Sequence, residues 1–160
     1  MLSLRAASVA DTHAVAGVVA NLARTGDLIV LAGEMGAGKT AFAQGFGRAL
    51  GITEPITSPT FTLVHSYPFG HRRTLHHADL YRLDSTGDVA DLALEELAEF
   101  GGVVLIEWGD VVGGLGDHLE VRLDLDVDDP DARDIEITAS GTSWAGRWER
   151  LTSGLAAWRA

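Results

Sequence analysis

Apolar positions recur along the chain with two distinct periods. Leu119, Val121, Leu123, Leu125 and Val127 alternate with polar neighbours across residues 118–127, the two-residue period of a half-buried strand. Residues 133–139 alternate less regularly, and Asp128-Asp129-Pro130-Asp131 lies between the two stretches. Together they predict a hairpin with an acidic turn. Residues 61–67 and 74–78, joined through Pro68-Phe69-Gly70, predict a second hairpin. Short apolar runs at 27–32 and 103–106 predict strands buried on both faces, and residues 2–7 predict a first strand. Elsewhere the period lengthens. Phe42, Phe46 and Leu50 stand at i, i+4 and i+8 of a helix over 40–50, with Gly51 as its stop. An earlier helix, capped by Ser8 or Asp11, is expected to end near Arg24, with Gly26 behind it. Residues 88–100 read as a helix with apolar Leu92, Leu94 and Leu97 and an acidic face. Trp144, Trp148, Leu151, Leu155 and Trp158 follow at spacings that share one helix face, which either covers the sheet or receives a partner.

Buried strands beside alternating ones predict an α/β fold: a parallel central sheet extended by antiparallel strands and flanked by helices. At 160 residues one domain over 1–160 is expected. The chain has no cysteine, so neither a disulfide framework nor a thiolate metal site is available. There is no apolar run of membrane-spanning length and no basic-then-apolar leader, so a cytoplasmic location is expected. Twelve lysines and arginines stand against 23 acidic residues, a formal net charge of −11. That balance argues against broad contact with nucleic-acid backbones, which needs clustered positive charge.

Lys39 is the only lysine; the other eleven basic residues are arginine. It sits in Gly33-Glu34-Met35-Gly36-Ala37-Gly38-Lys39-Thr40, which fits the phosphate-binding P-loop pattern. Glycines let the backbone turn tightly and present successive N–H groups to phosphate oxygens, and the following helix points its positive end at the same anion. The ammonium of Lys39 is a flexible charge for the β- and γ-phosphates, and the Thr40 hydroxyl is placed for Mg²⁺. A predicted buried strand before the loop and a helix after it supply the context the pattern needs. A structural glycine turn would not call for Lys-Thr at those positions.

Such a site also needs a carboxylate at a strand end to hold Mg²⁺, directly or through water. Glu107 ends the apolar run Val103-Val104-Leu105-Ile106, and Asp79 ends the strand carrying His76 and His77. One can ligate the metal while the other orients or deprotonates water. Ser58-Pro59-Thr60-Phe61 follows the P-loop helix where a γ-phosphate-sensing segment commonly sits, which makes the Thr60 hydroxyl a candidate. Adjacent His76 and His77 point to opposite faces of a strand and read as hydrogen-bonded structural residues. Trp108 is either core packing or a lid over the nucleotide.

The segments Gly33–Thr40, Ser58-Pro59-Thr60-Phe61-Thr62-Leu63-Val64, His77-Ala78-Asp79-Leu80-Tyr81-Arg82 and Ile106-Glu107-Trp108 occur in that order. In this the chain resembles the small bacterial ATPases of tRNA threonylcarbamoyladenosine biosynthesis, the TsaE/YjeE family, over nearly its whole length. The resemblance implies a P-loop NTPase fold that binds ATP with Mg²⁺ and hydrolyses it slowly. It implies partners too, the threonylcarbamoyl transferase subunit and its inactive paralogue, with tRNA contacted indirectly at most. In that assembly hydrolysis is thought to reset the complex rather than perform the transfer. By position, Glu34, Met35, Gly36, Ala37, Gly38, Lys39 and Thr40 hold phosphate, with Thr40 also on Mg²⁺. Glu107 is a metal ligand, Asp79 a catalytic or metal-linked carboxylate, and Trp108 part of the same segment; Thr12 and Arg133 match positions near the nucleotide. The tryptophan-rich C-terminus and the loop Gly113-Gly114-Leu115-Gly116 depart from the family pattern. The other readings of the residues are a small-molecule or nucleoside kinase, which would want an arginine-bearing lid, and a silent nucleotide-binding module.

Overall fold

The computed structural model describes residues 1–34, 36–57, 64–79, 94–107 and 115–160. Among them, β1 (Leu2–Ala6), β2 (Leu28–Ala32), β3 (Val64–Phe69), β4 (Arg73–Asp79), β5 (Gly102–Glu107), β6 (His118–Leu125) and β7 (Arg133–Ser140) form one sheet. Its order is β1-β7-β6-β2-β5-β4-β3. The centre is parallel, β6-β2-β5-β4, and antiparallel pairs extend it at both ends. This is the P-loop NTPase architecture expected from the residues. β2 is buried at every position because strands and packing cover both its faces, which is why its sequence is unbroken Leu-Ile-Val-Leu-Ala.

Helix α1 (Val9–Leu22) begins at Ser8, whose Oγ accepts from Asp11 N at 3.2 Å, while Asp11 returns a carboxylate oxygen to Ala7 N. The reciprocal pair satisfies amide donors that the helix start leaves open. Thr12, Val15, Ala16, Val19 and Ala20 form its buried face, the helical spacing of a core-facing stripe. It packs on α2 (Lys39–Ala49) closely enough that a side chain at Gly45 would collide with the backbone of His13. Phe42 and Phe46 of α2 fill the space over the sheet and are fully buried. The larger core lies between this helical layer and the sheet; a smaller one, Leu28, Val30, Ala78, Val104 and Ile106, lies on the opposite face under Ala98 of α3 (Leu94–Glu99).

Three expectations need correction. Pro68 and Phe69 belong to β3, paired with Thr74 and Arg73, and the turn is made by Gly70, His71 and Arg72. Proline is tolerated there because β3 is the edge strand among the described residues, with no second neighbour there to receive an N–H. At the end of β6 the apolar alternation outruns the strand: Leu119, Val121 and Leu123 are fully buried, but Leu125 is largely open and Val127 is 98% exposed. The C-terminus is not one helix. A 3-10 turn (Ala145–Arg147), helix α4 (Trp148–Gly154) and a second 3-10 turn (Ala156–Trp158) follow each other. Gly154 breaks the run where the segment presses on α1, leaving no room for a side chain beside Val18. Trp144, Leu151 and Leu155 are buried in the core, with Trp148 and Trp158 packed at its margin, so the segment covers the sheet.

A buried ion pair anchors that cover. Arg147 Nη1 and Nη2 reach Asp27 Oδ2 and Oδ1 at 2.7 and 2.9 Å, and the guanidinium also donates to the carbonyls of Leu22 and Ser143. It stacks 3.9 Å from the ring centre of Trp144. Asp27 Oδ2 in turn accepts from Arg24 N at 2.7 Å. Asp27→Ala is expected to leave the guanidinium buried without its carboxylate and cost about 3–5 kcal/mol. Thermal unfolding should then move down by roughly 6–20 °C; a shift under about 2 °C would show that the anchor contributes little.

Candidate functional site

The P-loop follows the carboxyl end of β2, between β6 and β5. Gly33 has φ +140°, and a side chain there would run into the carbonyl oxygen of Leu123 on β6. Only glycine lets the chain leave the sheet at that point. Gly36 and Gly38 also have positive φ, +83° and +104°, with Gly38 capping α2. Ala37 N donates back to Glu34 O at 3.0 Å and closes the turn. Lys39 is buried, and its Nζ donates to Gly33 O at 2.6 Å and Glu34 O at 2.9 Å. A full positive charge is therefore held within the loop, beside the first amides of an eleven-residue helix. Positive charge, the start of a helix and a glycine turn in one place are the features by which protein backbones attract anions.

Arg133, the first residue of β7, grips the loop from the other side. Its Nε donates to Ala37 O at 2.8 Å and its Nη2 to Gly36 O at 3.4 Å, while Nη1 holds the carbonyls of Pro130 and Ala132. The guanidinium thus ties the β6–β7 turn to the P-loop. That turn is acidic, and part of its charge is neutralised: the hydrogen bond from Arg5 holds the Asp126 carboxyl below its usual range, and Arg5 also reaches Asp134 at 3.0 Å.

The two carboxylates arrive by strand register. Asp79 pairs with Glu107 across β4 and β5, and Glu107 pairs with Leu31 across β5 and β2. The last residues of β4 and β5 therefore stand in one row beside the exit of β2. Alternation puts Glu107 on the face of Val103 and Leu105, and Asp79 on that of Leu75 and His77. Those apolar residues belong to the core that α2 covers, so both carboxylates lie on the P-loop helix side of the sheet. Glu107 is only 3% exposed, and among the described residues its Oε1 has no hydrogen-bond partner. Asp79 is half-buried, as is Thr40 at the start of α2. No cluster of three His, Asp or Glu side chains able to hold a metal occurs among the described residues.

Of the sequence-derived candidates, Gly36, Ala37, Gly38, Lys39, Thr40, Asp79, Glu107 and Arg133 gather at this end of the sheet, and Glu34 is exposed on the loop. Thr12 lies on the buried face of α1, its hydroxyl 3.5 Å from Ser8 O, and serves its own helix start. Met35, Thr60 and Trp108 lie outside the described residues. His76 fits the structural expectation, with Nδ1 2.8 Å from Ser66 Oγ, and burial pushes its pKa down. His77 does not: it is fully buried, neither ring nitrogen has a hydrogen-bond partner, and Nε2 stands 3.6 Å from Glu107 Oε1. His77 and Asp79 are two apart on one strand and so share a face, which the sequence does show; that His77 meets Glu107 follows from the β4–β5 register.

The model for the family described as threonylcarbamoyl adenosine biosynthesis protein TsaE matches residues 6–135. A Bacillus subtilis protein named tRNA threonylcarbamoyladenosine biosynthesis protein TsaE is 34% identical over 151 residues, covering 94% of each chain. A Treponema pallidum protein of the same name is 46% identical over 105 residues, 66% of this chain and 76% of its own. The crystal structure of Bacillus subtilis YdiB superposes with a TM-score of 0.75 at 32% identity, covering 98% of this chain and 94% of that one. A P-loop with its strand-end carboxylates, a matching family model and relatives alike over almost their full length place this chain in the TsaE family.

Proposed function

We propose that the chain is a Mg²⁺-dependent, weakly active ATPase. It serves threonylcarbamoyl modification of the adenosine beside the anticodon of tRNA, together with the transferase subunit and its paralogue. The observation that carries the reading is the register row Leu31, Glu107, Asp79, which sets two carboxylates beside a P-loop holding a buried lysine. Loop amides and the Lys39 ammonium bind the β- and γ-phosphates. Glu107, buried with an unsatisfied oxygen, and the Thr40 hydroxyl are the residues that would hold Mg²⁺; half-buried Asp79 has the exposure to orient a water. Bound Mg²⁺ supplies neutralisation of charge on the transferring phosphate. Arg133 is committed to backbone carbonyls of the loop, so it supports the loop's shape rather than reaching for the γ-phosphate. Slow intrinsic turnover is expected, with a partner supplying charge at the transition state. The net charge of −11 favours action through protein partners over direct grip on tRNA.

Mg²⁺-dependent ATP hydrolysis is expected to rise roughly tenfold or more when the transferase–paralogue pair is added; fast turnover by the isolated protein, or none gained with the pair, would overturn the reading. Lys39→Ala is expected to weaken nucleotide binding by about 2 kcal/mol, some thirtyfold in Kd by calorimetry. Glu107→Ala should lower hydrolysis roughly tenfold or more while nucleotide Kd measured in EDTA stays within about threefold. Equal losses in both quantities would remove Glu107 from the metal site.

A further inference from the structure

Buried polar groups in folded proteins almost always find partners. Among the described residues Glu107 and His77 do not: Oε1 of one and both ring nitrogens of the other lack hydrogen bonds, although the two residues are 3% and 0% exposed. They face each other. His77 is the register partner of Leu105, two residues before Glu107 on β5, and its Nε2 lies 3.6 Å from Glu107 Oε1. A hydrogen bond needs closure by only about 0.5 Å, within what side-chain torsions supply. Neutral imidazole carries one proton, and when that proton is on Nε2 it has this carboxylate oxygen in front of it.

We infer that His77 is the positioning residue for Glu107: its Nε2–H donates to Oε1 and fixes the carboxylate that would meet a divalent cation. The role rests on the proposed reading of Glu107 as a cation ligand. A carboxylate at the end of a strand has three torsions before its oxygens, and a ligand that must meet a small cation at one angle gains from losing that freedom. Groups that orient metal-bound carboxylates in this way typically change metal affinity 10–100-fold when removed. The sheet supplies the orientation without loops, because β4 and β5 share both register and face at these residues.

The test compares His77→Leu, which keeps apolar volume without a donor, with His77→Gln, whose Nε2 can donate from a similar position. Mn²⁺ affinity of the ADP-bound protein, read by electron paramagnetic resonance, should fall about tenfold or more in His77→Leu and return to within about threefold in His77→Gln. ADP affinity in EDTA should hold within about twofold in both. Nitrogen chemical shifts of His77 in the unmodified metal-free protein should show the proton on Nε2, a measurement that needs no variant to fold. A bare Nε2 would overturn the assignment, as would unchanged Mn²⁺ affinity in folded His77→Leu, or a parallel loss of ADP binding in EDTA. Glu107→Gln separates the two levels. If it lowers Mn²⁺ affinity while His77→Leu does not, His77 alone is dismissed; if it leaves Mn²⁺ affinity untouched, Glu107 is no ligand and both ideas fall.

Discussion

The site depends on the parallel alignment of β2, β5 and β4. Parallel strands bring their carboxyl ends to one edge of the sheet, and a register locked by full burial admits no slip, since a one-residue shift would turn every side chain to the wrong face. Here that alignment places Glu107 level with Leu31 and with Asp79. A loop leaving β2 then emerges beside two carboxylates without any contact between distant loops having to find itself. The strands on the other side of β2 do different work. β6 lies parallel against β2 and lends the Leu123 carbonyl that Gly33 must pass, while antiparallel β7 begins with the arginine that holds the turn.

Electrostatics at this edge are arranged in opposition. Lys39 and the start of α2 are positive, Glu107 and Asp79 negative, and the β6–β7 turn carries further acids partly offset by Arg5. An anion bound at the loop would meet the first pair and repel the second unless a cation intervenes. That opposition supports the proposal above, in which phosphate and a divalent ion bind together.

Much of this could be read from residues because local signals and global fold agree. Strand, glycine loop and helix around Lys39 each have their own pattern, and the buried runs of β2 and β5 are unambiguous. Glu107 and Asp79 were visible as strand-final acids. What sequence could not deliver was register, and with it the fact that these two acids are cross-strand neighbours. Nor could it place Arg133, whose partners lie 96 and 97 residues away in the P-loop. The tryptophan spacing misled because 3.6-residue periodicity survives in fragments: Gly154 and the two 3-10 turns interrupt the axis while Trp144, Leu151 and Leu155 still reach the core. Likewise Val127 continued an alternation beyond the last residue that had a neighbour to pair with.

The solitary lysine has a consequence for solution chemistry. Its ammonium is held between the carbonyls of Gly33 and Glu34 and is 6% exposed, and no other side chain in the 160 residues carries a primary amine. Amine-directed acylating reagents therefore have one side-chain target, and it lies inside the loop. Mass spectrometry of label on that one side chain therefore reads directly how far the loop is shielded from reagent.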